Sequence, residues 1–260
     1  MTGIIDARKM WGKHIANALS YAQGYYELLC YTIRNIGVLR VAPVRSVFYK
    51  QVYFTGIEAL SKVSAIGILI GVVIITQVVN IVGPDAVLIG KILAWTIVRE
   101  LGPLLAAVII IARSGTAIAS ELGSMMVNRE ADSLKVMGID PVDYLLLPRI
   151  AGITVSVFIL TFYFQVATIA GGLAFTSLFK GFPFFQHLKG ISSILSSFEI
   201  AVSLLKSLIF GCTISIISCY QGFNVESSIT EIPQASTRAV MQSLFLVFIF
   251  DGIITMVFFL

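Results

Sequence analysis

Charge is scarce in this chain of 260 residues, because only 12% of them are Asp, Glu, Lys or Arg. A soluble domain usually carries about 25% charged residues, so the composition excludes an ordinary water-soluble protein. Apolar residues make up 57% of the chain, and the mean hydropathy is +0.94. The composition therefore predicts an integral membrane protein.

The motifs of common enzyme classes are missing as well. His14 and His187 are the two histidines and lie far apart with no HExxH, and there is no GxSxG nucleophile elbow. Cys30, Cys212 and Cys219 form no CxxC, so we predict neither a disulfide framework nor a metal site. No GxxxxGK[ST] loop occurs, so the chain does not cradle ATP in that manner. We predict a non-enzyme with no metal or cofactor of its own.

Positive charge is concentrated before the first long apolar run. Seven of the eighteen Lys and Arg residues lie there, against two acids, Asp6 and Glu27. This asymmetry predicts a cytoplasmic N-terminus that faces anionic lipid, and it does not point to nucleic-acid binding. The first 56 residues lack an apolar core followed by a small-residue cleavage site, so we expect no signal peptide.

The N-terminal segment, residues 1–56, carries an apolar stripe between residues 10 and 39. Trp11, Ile15, Tyr26 and Ile33 belong to this stripe and recur at helical spacing. The stripe predicts an amphipathic helix that lies in the membrane interface. The alternative is a helix packed on the protein's own membrane domain, and the two descriptions are compatible.

Five apolar runs predict an all-α transmembrane domain over residues 57–260. The runs cover residues 63–82, 87–112, 150–179, about 200–222 and about 239–260. About twenty residues at roughly 1.5 Å each cross a hydrocarbon core of about 30 Å. Gly67 and Gly71 have the small-xxx-small spacing that lets a neighbouring helix approach closely. With the N-terminus inside, residues 113–148 also lie on the cytoplasmic side.

The second run contains an adjacent arginine and glutamate, Arg99 and Glu100, followed by Gly102 and Pro103. Pro103 has no N–H, so the carbonyl of Arg99 loses its helical partner, and we expect the helix to kink or break at Gly102 and Pro103. A charge at a helix centre costs about 2.5–3.5 kcal/mol on insertion scales. Both charged side chains should therefore point into a cavity or toward countercharges.

Lys206 and Asp251 are the candidate countercharges. In the predicted topology they lie with Arg99 in the outer half of the membrane or near its midplane, and the set with Glu100 has no net charge. We predict that these four residues form a polar cluster that takes a phosphate head group, which suits the paired donors of arginine. The alternatives are a structural ion pair that satisfies the broken backbone, a tilted helix that leaves the pair at an interface, and a Lys206 that snorkels outward.

Residues 113–149 are too polar to span a membrane and too helix-prone for a loose linker. Their apolar positions predict one or two short helices that end at Gly138, before a turn at Asp140 and Pro141. Such a cytoplasmic helix is typical of elements that fit a groove on a partner protein. A solvated helix with no partner is the alternative.

Three stretches resemble the MlaE permease family, the membrane subunits of bacterial ABC transporters that move phospholipid between the two membranes. They are RELGPLLAAVIIIARSGTAIASELGSM (99–125), LKVMGIDPVDYLLLPR (134–149) and, more weakly, QASTRAV (234–240). The resemblance covers about residues 55–260. It implies a multi-pass homodimer in the bacterial inner membrane, with phospholipid as substrate. The implied partners are an ABC ATPase that holds ATP and Mg, an MCE-domain lipid-binding subunit and a small STAS-like accessory subunit.

The same resemblance implies that residues 113–148 contain a coupling helix that docks on the ATPase. The implied coupling residues are Glu121, Leu122, Met125, Arg129, Glu130, Asp132, Met137 and Gly138. The chain departs from the family at residues 129–132, where Arg-Glu-Ala-Asp replaces Glu-Gln-Ile-Asp, and in residues 223–236, which lack the usual glycines and base. A stand-alone channel or secondary carrier is the alternative function, and an intramembrane enzyme is a weaker one.

Overall fold

The protein's fold is taken from a computed structural model that describes residues 21–83, 85–180, 184–226 and 228–259. Every regular element in those ranges is a helix. Five helical stretches are long and apolar enough to cross a membrane: Ala42–Val82, Val87–Val127, Val142–Phe179, Ser197–Phe223 and Glu231–Phe258. The prediction of an all-α membrane protein with five spans is confirmed. Trp11 and Ile15 of the predicted N-terminal stripe lie outside the described residues.

The helices are numbered in chain order. They are α1 (21–34), α2 (Ala42–Thr55), α3 (Leu60–Val82), α4 (Ala86–Leu93), α5 (Gly102–Ile110), α6 (Thr116–Val127), α7 (Glu130–Val136), α8 (Leu147–Lys180), α9 (Phe184–Ile194), α10 (Ser197–Phe223) and α11 (Glu231–Phe259). Two π-helical segments, Ala94–Leu101 and Ile111–Gly115, join α4, α5 and α6 into the second span. Gly56 ends α2, so the predicted boundary between residues 1–56 and 57–260 falls at a turn inside the first stretch. That division stays a prediction.

The long helix α8 lies at the centre of the bundle, packed against α2, α3 and α10. Its apolar side chains Val157, Leu160 and Phe164 are fully buried in the main core. By contrast, α11 leaves large apolar side chains such as Phe245 and Met256 exposed. Such a face is stable in a membrane because lipid tails are as apolar as the side chains that meet them.

Two glycines allow α3 to lie directly against α8. A Cβ atom added to Gly71 would overlap the carbonyl oxygen of Thr168 and lie 2.9 Å from its carbonyl carbon. At Gly67 an added Cβ would lie 3.1 Å from the hydroxyl of the same threonine. The predicted close approach at Gly67 and Gly71 is confirmed, and its partner is the third span.

Helix α1 is packed on the C-terminal end of α10 and the N-terminal half of α11. The ring of Tyr25 lies edge-on to Tyr220, with 4.8 Å between the ring centroids. The Tyr25 hydroxyl accepts a hydrogen bond of 2.8 Å from Gln221 Nε2 and donates to Gln242 Oε1. Tyr26 and Ile33 are exposed on another side of the helix. Packing on the protein is thus observed, and placement in the membrane interface stays a prediction that the exposed apolar side supports.

The C-terminal end of α1 is hydrogen-bonded to the start of the third span and to the turn before it. The hydroxyl of Tyr31 has two carboxylate acceptors, Asp143 Oδ1 at 3.0 Å and Asp140 Oδ2 at 3.2 Å. Asn35 Nδ2 adds a longer contact of 3.4 Å to Asp143. Burial, followed by the hydrogen bond to Asp143, raises the pKa of Tyr31 to about 12, so the hydroxyl is a proton donor at neutral pH.

Tyr31→Phe is expected to loosen α1 without unfolding the spans. Loss of this hydrogen bond to a charged group removes about 1.5–3 kcal/mol, which the half-exposed site reduces to about 1–2 kcal/mol. Amides in residues 21–34 should then exchange hydrogen about fivefold to thirtyfold faster, because exchange follows local opening. Tyr49→Phe on the exposed face of α2 is the matched control. Equal exchange rates in the two variants would show that Asp140 and Asp143 do not hold α1.

Candidate functional site

The ammonium group of Lys206 is the centre of a buried cluster that joins three spans. It donates to Glu100 Oε2 at 2.8 Å, to Asp251 Oδ1 at 2.7 Å and to Thr255 Oγ1 at 2.7 Å. The carbonyl oxygen of Arg99 lies 3.2 Å from the same nitrogen. Lys206 itself is completely buried, which contradicts the alternative in which it snorkels outward. The structure therefore brings together all four residues of the predicted cluster.

The helix does not end at Gly102 and Pro103; its backbone winds more widely just before them, as a π-helix. Residues Ala94–Leu101 are π-helical, the N–H of Gly102 bonds to the carbonyl of Ile97 five residues back, and α5 begins at Gly102. The second span therefore does not break here but continues through a π-helical segment, and the predicted kink stays a prediction. Such segments often mark functional sites.

Two side chains replace the hydrogen bond that Pro103 is unable to donate. Gln165 Nε2 donates to the carbonyl of Val98 at 3.1 Å, and Lys206 donates to the carbonyl of Arg99. These carbonyls stand five and four residues before the proline, where its N–H would point in a π-helix or an α-helix. The expectation that the backbone beside Arg99 needs another donor is met by side chains from α8 and α10.

The charges of the cluster balance but their accessibility differs. Arg99 Nε lies 3.2 Å from Glu100 Oε1, and their side chains are 21% and 33% exposed. Asp251 is 16% exposed, and Lys206 has no exposed surface. With two positive and two negative groups the formal charge is zero. Lys206 and Asp251 therefore act as a support, and Arg99 with Glu100 forms the face of the cluster that a ligand could reach.

An apolar groove shares Val98 and Gln165 with the backbone next to this cluster, and the four charged residues do not line it. Its volume is about 200 Å³, and it lies between α8, α9 and α10, with Val98, Gln165, Ile169 and Leu195 among its lining residues. Gln165 also donates to Ser203 Oγ at 2.6 Å, so this polar side chain in the groove lining is already hydrogen-bonded within the protein. A charged cluster that follows directly on a groove-lining residue, Val98, can hold an amphipathic molecule.

Sequence reasoning missed Gln165 and Thr255. Thr255 accepts from Lys206 and donates to both carboxylate oxygens of Glu100, at 3.2 and 3.1 Å. The glutamine had a readable signal, because it is an isolated amide in the uncharged run of residues 150–179. The threonine had none, since hydroxyls in apolar helices commonly bond to their own backbone.

Three of the predicted coupling residues hold α6 in the bundle. The second span continues as a helix to Val127, beyond the predicted end at residue 112. Leu122 is fully buried in the main core, so it presents no surface to a partner in this conformation, and its role in coupling stays a prediction. Glu121 Oε1 accepts a 2.6 Å bond from Arg149 Nη2, and Met125 packs against the same core. Burial of Leu122 follows from the continuation of α6 between α10 and α11.

The remaining coupling residues are exposed and follow α6 along the chain: Arg129, Glu130, Asp132, Met137 and Gly138. Gly138 has φ +77, its N–H bonds to the carbonyl of Lys135, and the N–H of Ile139 bonds to Leu134. This Schellman arrangement confirms that Gly138 ends the short helix. Arg129, where the chain departs from the family, has φ 57, a left-handed conformation that is uncommon outside glycine. Docking of this segment on an ATPase stays a prediction.

The chain matches a known family over most of its length. The family described as Permease MlaE matches residues 48–257. The protein TRIGALACTOSYLDIACYLGLYCEROL 1, chloroplastic, of Arabidopsis thaliana is 32% identical over 171 residues, which cover 66% of this chain and 49% of that protein. A probable ABC transporter permease protein of Synechocystis is 34% identical over 161 residues, which cover 62% of this chain.

A third relative aligns over a greater share of its length. The intermembrane phospholipid transport system permease protein MlaE of Haemophilus influenzae is 28% identical over 215 residues, which cover 81% of this chain and 82% of that protein. By comparison, the chain spans about half of the Arabidopsis protein and 61% of the Synechocystis protein. With the family match over residues 48–257 and five membrane-spanning helices, this chain belongs to the MlaE permease family.

Proposed function

We propose that this chain is the permease subunit of an ABC transporter that moves phospholipid between the inner and outer membranes of a bacterial cell. It would lie in the inner membrane with a cytoplasmic N-terminus, and a separate ATPase would bind ATP and Mg. Family membership and the name of the Haemophilus relative, an intermembrane phospholipid transport permease, support phospholipid as the substrate. The observation that carries the proposal is the accessible face of Arg99 and Glu100, which follow directly in sequence on Val98, a lining residue of an apolar groove.

The cluster suits a phospholipid head group for a physical reason. A guanidinium donates parallel hydrogen bonds that match two phosphate oxygens. The attraction between the two charged groups is stronger where water is excluded. Lys206 fixes Glu100 and the carbonyl of Arg99, so the arginine is oriented before the lipid arrives. The acyl chains would lie along the groove lined by Val98 and Ile169.

Energy would enter through the exposed segment after α6. Met137, Val136 and Ile139 present apolar side chains there, which suits docking on a partner protein. The ion pair of Glu121 and Arg149 joins the second and third spans beside this segment. A movement of the segment would thereby be transmitted to the second span, which carries Arg99.

The proposed partners are those that the family resemblance implies. The exposed apolar side of α11, which includes Phe245, Phe248 and Met256, supports a homodimer through a second copy. An MCE-domain lipid-binding subunit and a small STAS-like accessory subunit complete the proposed complex.

The Arg99→Ala/Glu100→Ala variant tests the proposal by native mass spectrometry of the protein purified with its neighbouring subunits. Wild type should carry two copies of this chain, an ATPase and bound phospholipid. The variant should assemble equally well with at least about tenfold less bound lipid, because even one lost charge-assisted hydrogen bond is worth about 1.5–3 kcal/mol. Glu27→Ala/Arg34→Ala, on the exposed side of α1, is the control.

Other outcomes would contradict the proposal in distinct ways. A variant that keeps its lipid while the complex dissociates would make the pair a structural element. A wild-type preparation without any ATPase would overturn the transporter-subunit function and favour a stand-alone carrier.

A further inference from the structure

A separate, polar cavity lies against the second span, further toward its cytoplasmic end than Arg99. Its volume is about 440 Å³, and it lies between α2 on one side and Ile111–Gly115 with α6 on the other. Three charged side chains line it: Arg113, Glu58 and Glu121. None of them belongs to the cluster around Lys206.

Arg113 is held in place but has donors to spare. Its Nη1 donates to the carbonyl of Phe54 at 2.7 Å, and its Nη2 donates to Glu58 Oε2 at 2.9 Å. A guanidinium carries five N–H groups. Since these contacts use two of them, the fixed guanidinium can still donate to a phosphate in the cavity.

Glu121 supplies a carboxylate to the same cavity. One of its oxygens accepts from the buried Arg149 at 2.6 Å, and the side chain is 52% exposed. Glu58 is likewise exposed in part while it holds Arg113. The cavity therefore presents one cation and two anions, an arrangement in which a phosphate and an ammonium on one molecule both find a partner.

The cavity lies at the depth of lipid head groups. Arg113 stands fourteen positions after Arg99 on a continuous helix, a distance of about 20 Å at 1.5 Å per residue. That is about two thirds of a 30 Å hydrocarbon core. Tyr49, Tyr53 and Phe54 are exposed on α2 beside the cavity, and aromatic side chains concentrate at the membrane–water boundary. The cavity thus faces the leaflet opposite to the cluster around Lys206.

Both arginines of the second span also share an uncommon backbone. Arg99 lies in the π-helical segment Ala94–Leu101, and Arg113 lies in the π-helical segment Ile111–Gly115. Segments of this kind are rare and occur often at functional sites. One helix therefore carries two similar arginine positions, one toward each leaflet.

We propose that this cavity binds the head group of a zwitterionic, amine-bearing phospholipid from the cytoplasmic leaflet. Arg113 binds the phosphate, and Glu121 with Glu58 binds the ammonium. An anionic head group without an amine would bring its phosphate near Glu58 and Glu121 and leave their free carboxylate oxygens without an ammonium partner, so it binds more weakly. The inference rests on the proposed function and adds a second head-group site, with a role for Glu121 other than contact with the ATPase.

Photo-crosslinking of the full chain tests this site directly. Benzoylphenylalanine replaces Phe54, which lines the cavity, or the neighbouring Tyr53, which is equally exposed but does not line it. The protein is placed in nanodiscs with equal amounts of phosphatidylethanolamine and phosphatidylglycerol of identical acyl chains. Mass spectrometry then measures the ratio of the two lipids in the crosslinked product.

Adducts at position 54 should favour phosphatidylethanolamine about fivefold, while those at position 53 should reflect the bilayer, because one partly exposed charged contact separates the two lipids. Glu121→Gln should remove the preference while it still accepts from Arg149, and Glu130→Gln should not. Ala117→Phe, which fills the cavity from an exposed lining position, should reduce lipid adducts at position 54 without touching an ion pair.

Equal lipid ratios at positions 53 and 54 would show bilayer lipid only and overturn the inference. Adducts to protein in place of lipid would do the same. The measurement needs no ATPase and no transport. If position 54 shows no preference while the Arg99→Ala/Glu100→Ala variant loses its lipid, only the second site fails; if the Arg99→Ala/Glu100→Ala variant also keeps its lipid, the proposed function fails with it.

Discussion

Lys206→Met is expected to destabilise the folded protein by about 3–5 kcal/mol, because it leaves Glu100 and Asp251 without their shared countercharge in a buried site. The carbonyl of Arg99 loses its donor at the same time. Thermal unfolding of the detergent-purified protein should show a midpoint lower by about 10 °C. Lys135→Met, at an exposed ion pair on α7, should shift the midpoint by less than about 2 °C.

The double variant Lys206→Met/Asp251→Asn separates charge from hydrogen bonding. It returns the formal charge of the cluster to zero, so it should recover much of the lost stability if uncompensated charge is the main cost. A double variant no more stable than Lys206→Met would assign the cost to the lost hydrogen bonds. A Lys206→Met protein as stable as wild type would show that the cluster does not hold the three spans together.

Gly71→Ala is expected to destabilise the protein by about 3 kcal/mol, because its new methyl group would overlap the backbone of Thr168. A side-chain rotation is unable to relieve a contact with a carbonyl group, so α3 and α8 must move apart along their crossing. Gly172 on the facing helix adds to the constraint, since its own Cβ would lie 2.6 Å from the carbonyl carbon of Gly71. Unfolding midpoints in detergent measure the effect.

Gly252→Ala, measured on the detergent-purified monomer, is the matched control for this prediction, because Gly252 lies on the side of α11 that we propose for the homodimer. It also lies inside a long apolar helix, but a Cβ there meets no atom within 4 Å. Its replacement should stabilise α11 by about 0.5–1 kcal/mol through helix propensity alone. Shifts of the same sign and size at Gly71 and Gly252 would refute the close helix crossing as their explanation.

Some features could be predicted because they depend on one segment at a time. Span number follows from the length of each apolar run and the thickness of a bilayer. The end of α7 at Gly138 follows from the left-handed conformation that glycine adopts without strain. The need of Arg99 and Glu100 for countercharges follows from the free energy of a charge among lipid tails.

Other features required neighbours that the linear sequence does not specify. Thr255 and Gln165 joined the site because α11 and α8 face the second span, and a shift of one residue turns a side chain by about 100° around its helix. The same contacts explain why Pro103 lies within a continuous helix, since side chains from α8 and α10 bind the carbonyls it leaves.

The lengths of the apolar runs, the glycine spacing and the charges within those runs predict a five-span, all-α membrane protein with close helix packing and paired charges. The packing of the helices shows that the predicted partner Lys206 is buried between Glu100 and Asp251, that Leu122 is a core residue, and that Arg113 lines a second cavity. The reason is that hydrophobic length and helix ends are local properties. Ion pairs and cavities arise between helices that are distant in sequence, so their members are known only once the helices are packed.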